Sequence, residues 1–331
     1  MYEQQNSLSI GRKNLYKGRP YTARCLGGIL TSSIHDPARE TRKGVGYGLA
    51  AYLLWGFFPL YFKEVAHVAP LEVLSHRIAW SLITLVILLA VTHGWTGVRA
   101  ALGQQKTLLT LCATTILIST NWFVFIFAVA HDQILQSSFG YFINPLVSVL
   151  LGFIFLGERL RRLQVVSLAL AFTGVLVLTF HQGSAPWISL VLAVTFALYG
   201  LLRKIAPVDS LTGLSVETLL LFPAASGYLL YLGFTGKGTF PSAALHDNIL
   251  LPMAGVITAI PLLWFSAAAR RLRLATIGFM QYITPTLHFL LAVLAYGEPF
   301  SLVHLASFSC IWTGLALYSY DAAAGMFSAR R

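Results

Sequence analysis

The chain has 331 residues, 56% of them apolar and only 11% charged, with a formal net charge of +11. Mean hydropathy is +0.71, far from ordinary soluble usage, so a water-soluble globular domain is excluded and a polytopic membrane protein is indicated.

In chain order, residues 1–43 come first. They are polar, carry eight Lys or Arg, and hold no apolar core long enough for a signal peptide. They are expected to be a disordered tail or a non-native extension upstream of the true start. Ten apolar runs follow, at about 44–62, 71–93, 107–129, 134–156, 163–180, 185–202, 212–235, 249–269, 274–296 and 302–320. Each is long enough to cross a bilayer as a helix. They are too long, and too apolar on every side, for barrel strands. Residues 323–331 close the chain as a short tail. Cys25, Cys112 and Cys310 form no framework and no metal-ligand spacing. No metal and no cofactor are expected.

Lys and Arg collect on the cytoplasmic side of short loops. Number the segments between runs alternately from the N-terminus. Twenty of the 23 Lys and Arg then fall in the odd set, and only Lys63 and Lys237 in the even set. Arg77 lies inside a run. Both termini are therefore predicted to be cytoplasmic. The net charge is that of a membrane-facing basic collar and calls for no nucleic acid.

A pattern recurs at an offset of 140 residues. Ile143, Pro145, Leu150, Leu151, Gly157 and Glu158 match Ile283, Pro285, Leu290, Leu291, Gly297 and Glu298. Between 121–179 and 261–319 there are 12 identities without a gap, among them Ser167 with Ser307 and Gly174 with Gly314. The predicted architecture is an all-α integral membrane protein. Ten helices form two five-helix repeats, 44–180 and 181–322. Five is odd, so the second half is inverted, as in many secondary transporters.

Several segments carry a family resemblance. They are Ala-Tyr-Leu-Leu-Trp-Gly (51–56), Ser-His-Arg-Ile-Ala-Trp-Ser (75–81), Gly-Tyr-Phe-Ile-Asn-Pro-Leu (140–146), Leu-Gly-Glu-Arg (156–159), the run Pro-Leu-Leu-Trp-Phe-Ser-Ala-Ala-Ala-Arg-Arg-Leu-Arg-Leu (261–274) and Gln-Tyr-Ile-Thr-Pro-Thr-Leu (281–287). From about Thr41 to Ala322 the chain resembles the RarD family, in the EamA branch of the drug/metabolite transporter superfamily. The resemblance implies ten helices, a five-plus-five inverted repeat and a bacterial inner-membrane location. It implies no particular substrate.

Charged and polar groups inside the membrane are costly, about 2.5–3.5 kcal/mol for a charge at the centre, so they mark candidate function. Glu72, His76 and Arg77 lie near one end of the second run. Arg77 snorkelling, or pairing with Glu72, is the bland alternative. The repeat places Glu217 opposite Arg77; the bland alternative is a pair with Arg203 or Lys204. Asn121 and Trp122 fall mid-run, and a buried Asn commonly just bonds a neighbouring helix. Tyr141, Asn144, Gln281 and Tyr282 precede Pro145 and Pro285, each expected to kink its helix. With Trp264, these residues make the predicted substrate pathway. Glu158 and Glu298 are expected to cap neighbouring helices or pair with Arg loops.

The predicted function is a secondary, non-ATP transporter of a small organic solute, drug or metabolite, by alternating access, with a coupled proton as a candidate partner. It would work as a single chain in the lipid bilayer. The rival reading is an intramembrane enzyme acting on a lipid-like substrate. No His-Glu-x-x-His or Walker A sequence is present, and all five Asp lie in tails or loops.

Overall fold

A computed structural model describes residues 37–156, 160–182, 185–241, 245–269, 271–272 and 280–328. The described residues contain helices and turns and no strand. The helices are α1 (Pro37–Gly56), α2 (Phe58–Glu64), α3 (Pro70–Thr92), α4 (Trp95–Gly103), α5 (Gln105–Ala130) and α6 (Ile134–Leu156). They continue with α7 (Arg162–Gln182), α8 (Trp187–Ile205), α9 (Ser210–Thr235), α10 (Leu245–Ala269) and α11 (Ile283–Leu290). A π-helical turn (Leu291–Ala295) and α12 (Leu302–Ser328) complete the order. Among the described residues, eight helices are long and apolar enough to cross a membrane. Two shorter apolar helices, Trp187–Arg203 and Ile283–Ala295, fall where the sixth and ninth runs were predicted.

Three boundaries differ from the sequence expectation. α1 begins at Pro37, inside the segment read as tail. Its first turn is held by Glu40, which takes Lys43 at 2.8 Å and Arg271 at 3.0 Å. α12 continues to Ser328, past the last apolar run, through an Ala-rich stretch of high helix propensity. The loop after α3 is itself helical, as α4. Residues 1–36 and Gly157–Glu158, with the expectations attached to them, lie outside the described residues.

The two equivalent prolines behave differently. Pro145 sits inside a continuous α6. Pro285 lies in the first turn of α11, after a turn at Gln281–Tyr282. A proline has no N–H to give the carbonyl four residues back, so a helix start is its natural place. A third proline shapes the first span. α1 stops at Gly56 and α2 restarts at Phe58, with Pro59 in its first turn. Pro59 cannot donate to the Trp55 carbonyl, which is left for another partner.

The helices pack closely where side chains are small. At Gly255 an added Cβ would come within 2.3 Å of the Trp80 carbonyl carbon, so α3 and α10 touch backbone to backbone. α7 and α12 meet through Gly174 against the Ser307 carbonyl and Gly314 against the Ser167 carbonyl. Beside that contact, Phe139, Phe142, Phe289, Phe308 and Trp312 form an aromatic core between α6, α11 and α12. Backbone approach through small residues is how membrane helices gain van der Waals contact without a hydrophobic drive.

The second Gly-Glu has a mechanical role. Gly297 adopts φ +63°, a left-handed conformation that ends the preceding helix. The chain then turns Glu298 back toward the start of α6. Its carboxylate accepts from the Ile134 N–H at 2.7 Å and the Leu135 N–H at 2.8 Å. A negative charge satisfies two orphan donors and meets the positive end of the helix dipole. Burial pushes this carboxyl above the ordinary carboxylate range, and the two amide bonds oppose that push. The capping expectation for Glu298 therefore holds.

Gly297→Ala is expected to lower stability by about 1–2 kcal/mol through left-handed strain alone, since nothing crowds its Cβ. Glu298→Ala is expected to cost about 1–3 kcal/mol by orphaning two buried donors. Thermal unfolding in detergent checks both. A second comparison isolates the α3–α10 contact. Gly255→Ala is expected to destabilise by about 1–3 kcal/mol by overpacking. Gly46→Ala, on α1 with open space around its Cβ, is expected to be near neutral in the same assay.

Candidate polar and aromatic site

Arg77 is the centre of the site. It is 4% exposed, on the inner face of α3. Its Nε donates to Thr258 Oγ1 of α10 at 2.9 Å. The Thr258 hydroxyl in turn donates to the Ala254 carbonyl at 2.8 Å, which leaves its oxygen free to accept from Arg77. The guanidinium carbon lies 4.2 Å from the centre of the Trp122 ring, 5.6 Å from Phe62 and 5.8 Å from Phe58. Among the described residues Arg77 forms no ion pair with a carboxylate. It neither snorkels nor pairs with Glu72.

Three aromatic faces offset part of the desolvation cost, about 0.5–2 kcal/mol each at best. They do not replace an anion. The terminal guanidinium nitrogens carry no hydrogen bond to the described residues, so the group is a buried cation with donors still available. Guanidinium is a planar fork suited to a carboxylate or phosphate.

One helical turn along α5 from Trp122, Phe125 continues the aromatic wall. The His288 ring of α11 stacks on Phe125 at 5.3 Å and meets Tyr141 edge-on at 5.9 Å. His288 Nε2 donates to the Trp55 carbonyl at 3.1 Å, the carbonyl that Pro59 leaves without its helical partner. Nε2 therefore carries the proton, and Nδ1, fully buried, has no partner among the described residues. An unmet buried acceptor costs about 1–3 kcal/mol.

The amides build the next layer. Asn121 Nδ2 donates to the Leu192 carbonyl and to Thr195 Oγ1, both at 3.0 Å, while its Oδ1 accepts from the Tyr141 hydroxyl at 3.1 Å. Asn144 Nδ2 donates to the Ala193 carbonyl at 3.0 Å, and its Oδ1 accepts from Gln281 Nε2 at 3.4 Å. Both Asn thus tie α5 and α6 to α8, and Gln281 links the fourth run to the ninth. Ser138 Oγ adds a bond to the Pro285 carbonyl at 2.8 Å.

The remaining sequence-predicted residues lie elsewhere. Glu72 accepts from the Thr239 N–H at 2.6 Å and from Thr239 Oγ1 at 3.3 Å, and so pins the turn after α9. His76 packs edge-on to Phe240 at 5.0 Å, on the α9 side of α3. Tyr282 turns toward Ser319 and Tyr318 of α12. Trp264 is half-buried on α10. Glu217, 1% exposed on α9, accepts from the Thr114 hydroxyl at 2.7 Å and the Tyr199 hydroxyl at 3.2 Å, with Arg203 Nε at 3.9 Å. It belongs to a separate network on α5, α8 and α9, with Arg203 as its counter-charge; the Lys204 side chain lies outside the described residues.

Sequence reasoning missed His288, Phe58, Phe62 and Thr258. His288 had a signal: it is an ionisable residue inside an apolar run. Thr258 and the two Phe had none, because such residues are ordinary in membrane helices. The sequence reading also left out the first and sixth runs, which supply Phe58, Phe62 and the α8 carbonyls.

Known proteins fit this architecture. Residues 42–180 match the EamA-like transporter family. Protein RarD of Salmonella typhi is 48% identical over 285 residues, covering 86% of this chain and 97% of that protein. A Vibrio cholerae protein described as an uncharacterized transporter is 43% identical over 293 residues, covering 88% and 97%. A crystal structure superposes with a TM-score of 0.54 over 87% of this chain and 98% of that one, at 18% identity, which shows a shared fold. With relatives this similar along nearly their whole length, the chain belongs to the RarD group of the EamA-like transporter family.

Proposed function

We propose that this chain is a secondary transporter of a small organic solute with a carboxylate or similar anionic group, bound between two inverted halves near Arg77. The observation that carries this reading is the buried guanidinium without a counter-anion among the described residues. A buried unpaired charge is too costly to keep for packing alone, and a solute anion would complete it. Trp122 and Tyr141 would wall the solute, and the Asn121, Asn144 and Gln281 amides would fix its orientation. His288 Nδ1 is a ready acceptor for a solute N–H or O–H, or for a coupled proton. Glu217, in the other half, is the second candidate proton carrier.

Helix pairing supports ten spans in two inverted five-span halves. The Gly174–Ser307 and Gly314–Ser167 contacts are reciprocal between equivalent positions, as across a two-fold axis. The second span packs on the seventh (α3 on α9), the fourth on the ninth (α6 on α11) and the fifth on the tenth (α7 on α12). The basic-residue split supports cytoplasmic termini in a bacterial inner membrane. Alternating access follows from such a design. No nucleotide site is needed.

Uptake or efflux by liposomes containing only this chain tests the reading. Arg77→Gln is expected to insert normally and to lose at least tenfold in transport. Arg77→Lys is expected to recover part of it, because the charge returns without the fork. Glu217→Gln is expected to alter the pH dependence of transport. Full transport by Arg77→Gln, at unchanged expression, would remove Arg77 from the pathway. Orientation is checked separately: a Cys at Arg161 is expected to resist impermeant external labels in sealed cells.

A further inference from the structure

A groove of 740 Å³ runs along the outer side of the α3–α9 contact. It does not include Arg77. On α3 its wall is one stripe at helical spacing: Glu72, His76, Ala79, Ile83 and Ile87. On α9 a matching stripe runs from Phe234 near the helix end down through Leu230 and Ser226 to Phe222, with the Ser226 hydroxyl donating back to the Pro223 carbonyl at 3.2 Å. Ile83, Ile87, Leu230 and Phe234 are all exposed, so the groove faces hydrocarbon. From Glu72 to Ile87 it extends about 22 Å at 1.5 Å per residue. One leaflet of hydrocarbon is about 15 Å thick, so the groove is one leaflet deep with room for a headgroup.

Its polar groups are ordered by depth. Glu72, in the first turn of α3, lines one end of the groove; it is 3% exposed, and its two carboxylate oxygens accept from the Thr239 N–H and hydroxyl. One helical turn deeper, about 6 Å, lies His76. His76 is 4% exposed, lines the groove, and has no partner for either ring nitrogen among the described residues. Below His76 the α3 wall is apolar. A carboxylate at one end, a hydrogen-bonding ring without a partner among the described residues one turn deeper, then largely apolar walls: that is the order of ammonium headgroup, ester carbonyl and acyl chain in a phospholipid.

We propose that this groove holds one zwitterionic phospholipid of the adjoining leaflet. Its ammonium lies at Glu72, an ester carbonyl accepts from the His76 ring N–H, and an acyl chain fills the apolar channel. The His76 imidazole thereby gains a partner that the described residues do not give it.

Native mass spectrometry of the detergent-purified chain, titrated with phosphatidylethanolamine or phosphatidylglycerol of identical acyl chains, tests this. The first lipid bound is expected to be the ethanolamine form, by about fivefold or more. His76→Phe keeps a ring but removes both nitrogens, and is expected to weaken the first binding event about fivefold, the size of one hydrogen bond. Glu72→Gln is expected to abolish the headgroup preference. Ile83→Trp, on the lipid-facing wall, is expected to fill the groove and remove the tight event while the chain still folds. Equal binding of the two lipids, or tight binding unchanged in His76→Phe and Ile83→Trp, overturns the proposal. So does a dimer that Ile83→Trp dissociates, which would make the groove a contact between copies. A transported solute retained there in place of phospholipid would overturn it as well. The Arg77 reading is tested by transport and stands or falls apart from these results.

Discussion

Hydrocarbon supplies no hydrogen bonds, so a backbone group released from its helix inside the membrane must find a protein partner. Much of this architecture follows from how released groups are met. Pro59 interrupts the first span and frees the Trp55 carbonyl, and the His288 ring reaches across from α11 to meet it. Thr284, one turn earlier on α11, bonds the Tyr52 carbonyl at 2.9 Å. The first span and α11 are thereby joined by two side-chain bonds near one break. The Trp55 bond puts the proton on Nε2 of His288 and leaves Nδ1 without a partner among the described residues.

The second organising element is the reverse case, a donor left unmet by the described residues. Arg77 is 4% exposed and has one hydrogen bond to the described residues, to Thr258. Stacked aromatic faces make its burial tolerable without neutralising it. Glu217 shows how the chain treats a charge it means to satisfy: two hydroxyls and a nearby guanidinium surround it. The two residues occupy equivalent positions in the repeat, yet among the described residues one is compensated and the other is not.

Glycine and glutamate explain why part of the repeated pattern persists. Gly297 turns the chain by adopting a conformation that other residues resist, and Glu298 then caps α6 in the opposite half. Gly174 and Gly314 permit α7 and α12 to touch through backbone. These identities along the repeat therefore mark contacts that hold helices together.

Hydropathy and charge distribution were enough to read a helical membrane protein and the places of its apolar runs, because bilayer thickness and desolvation act on each segment alone; the family resemblance lay in particular motif segments such as 140–146 and 281–287. The same local physics named Arg77, Asn121, Trp122 and Tyr141, since intramembrane polar groups are costly wherever they face. It did not tell Glu72 and His76, which face α9, from Arg77 one residue later, which faces inward; a helix turns 100° per residue and the sequence does not say which neighbour lies on which side. Nor did it find His288, Phe58 or Thr258 as partners. Their roles come from spans that are distant in sequence and meet only on packing, and only the tertiary structure decides which freed carbonyl, ring face or hydroxyl each of them meets.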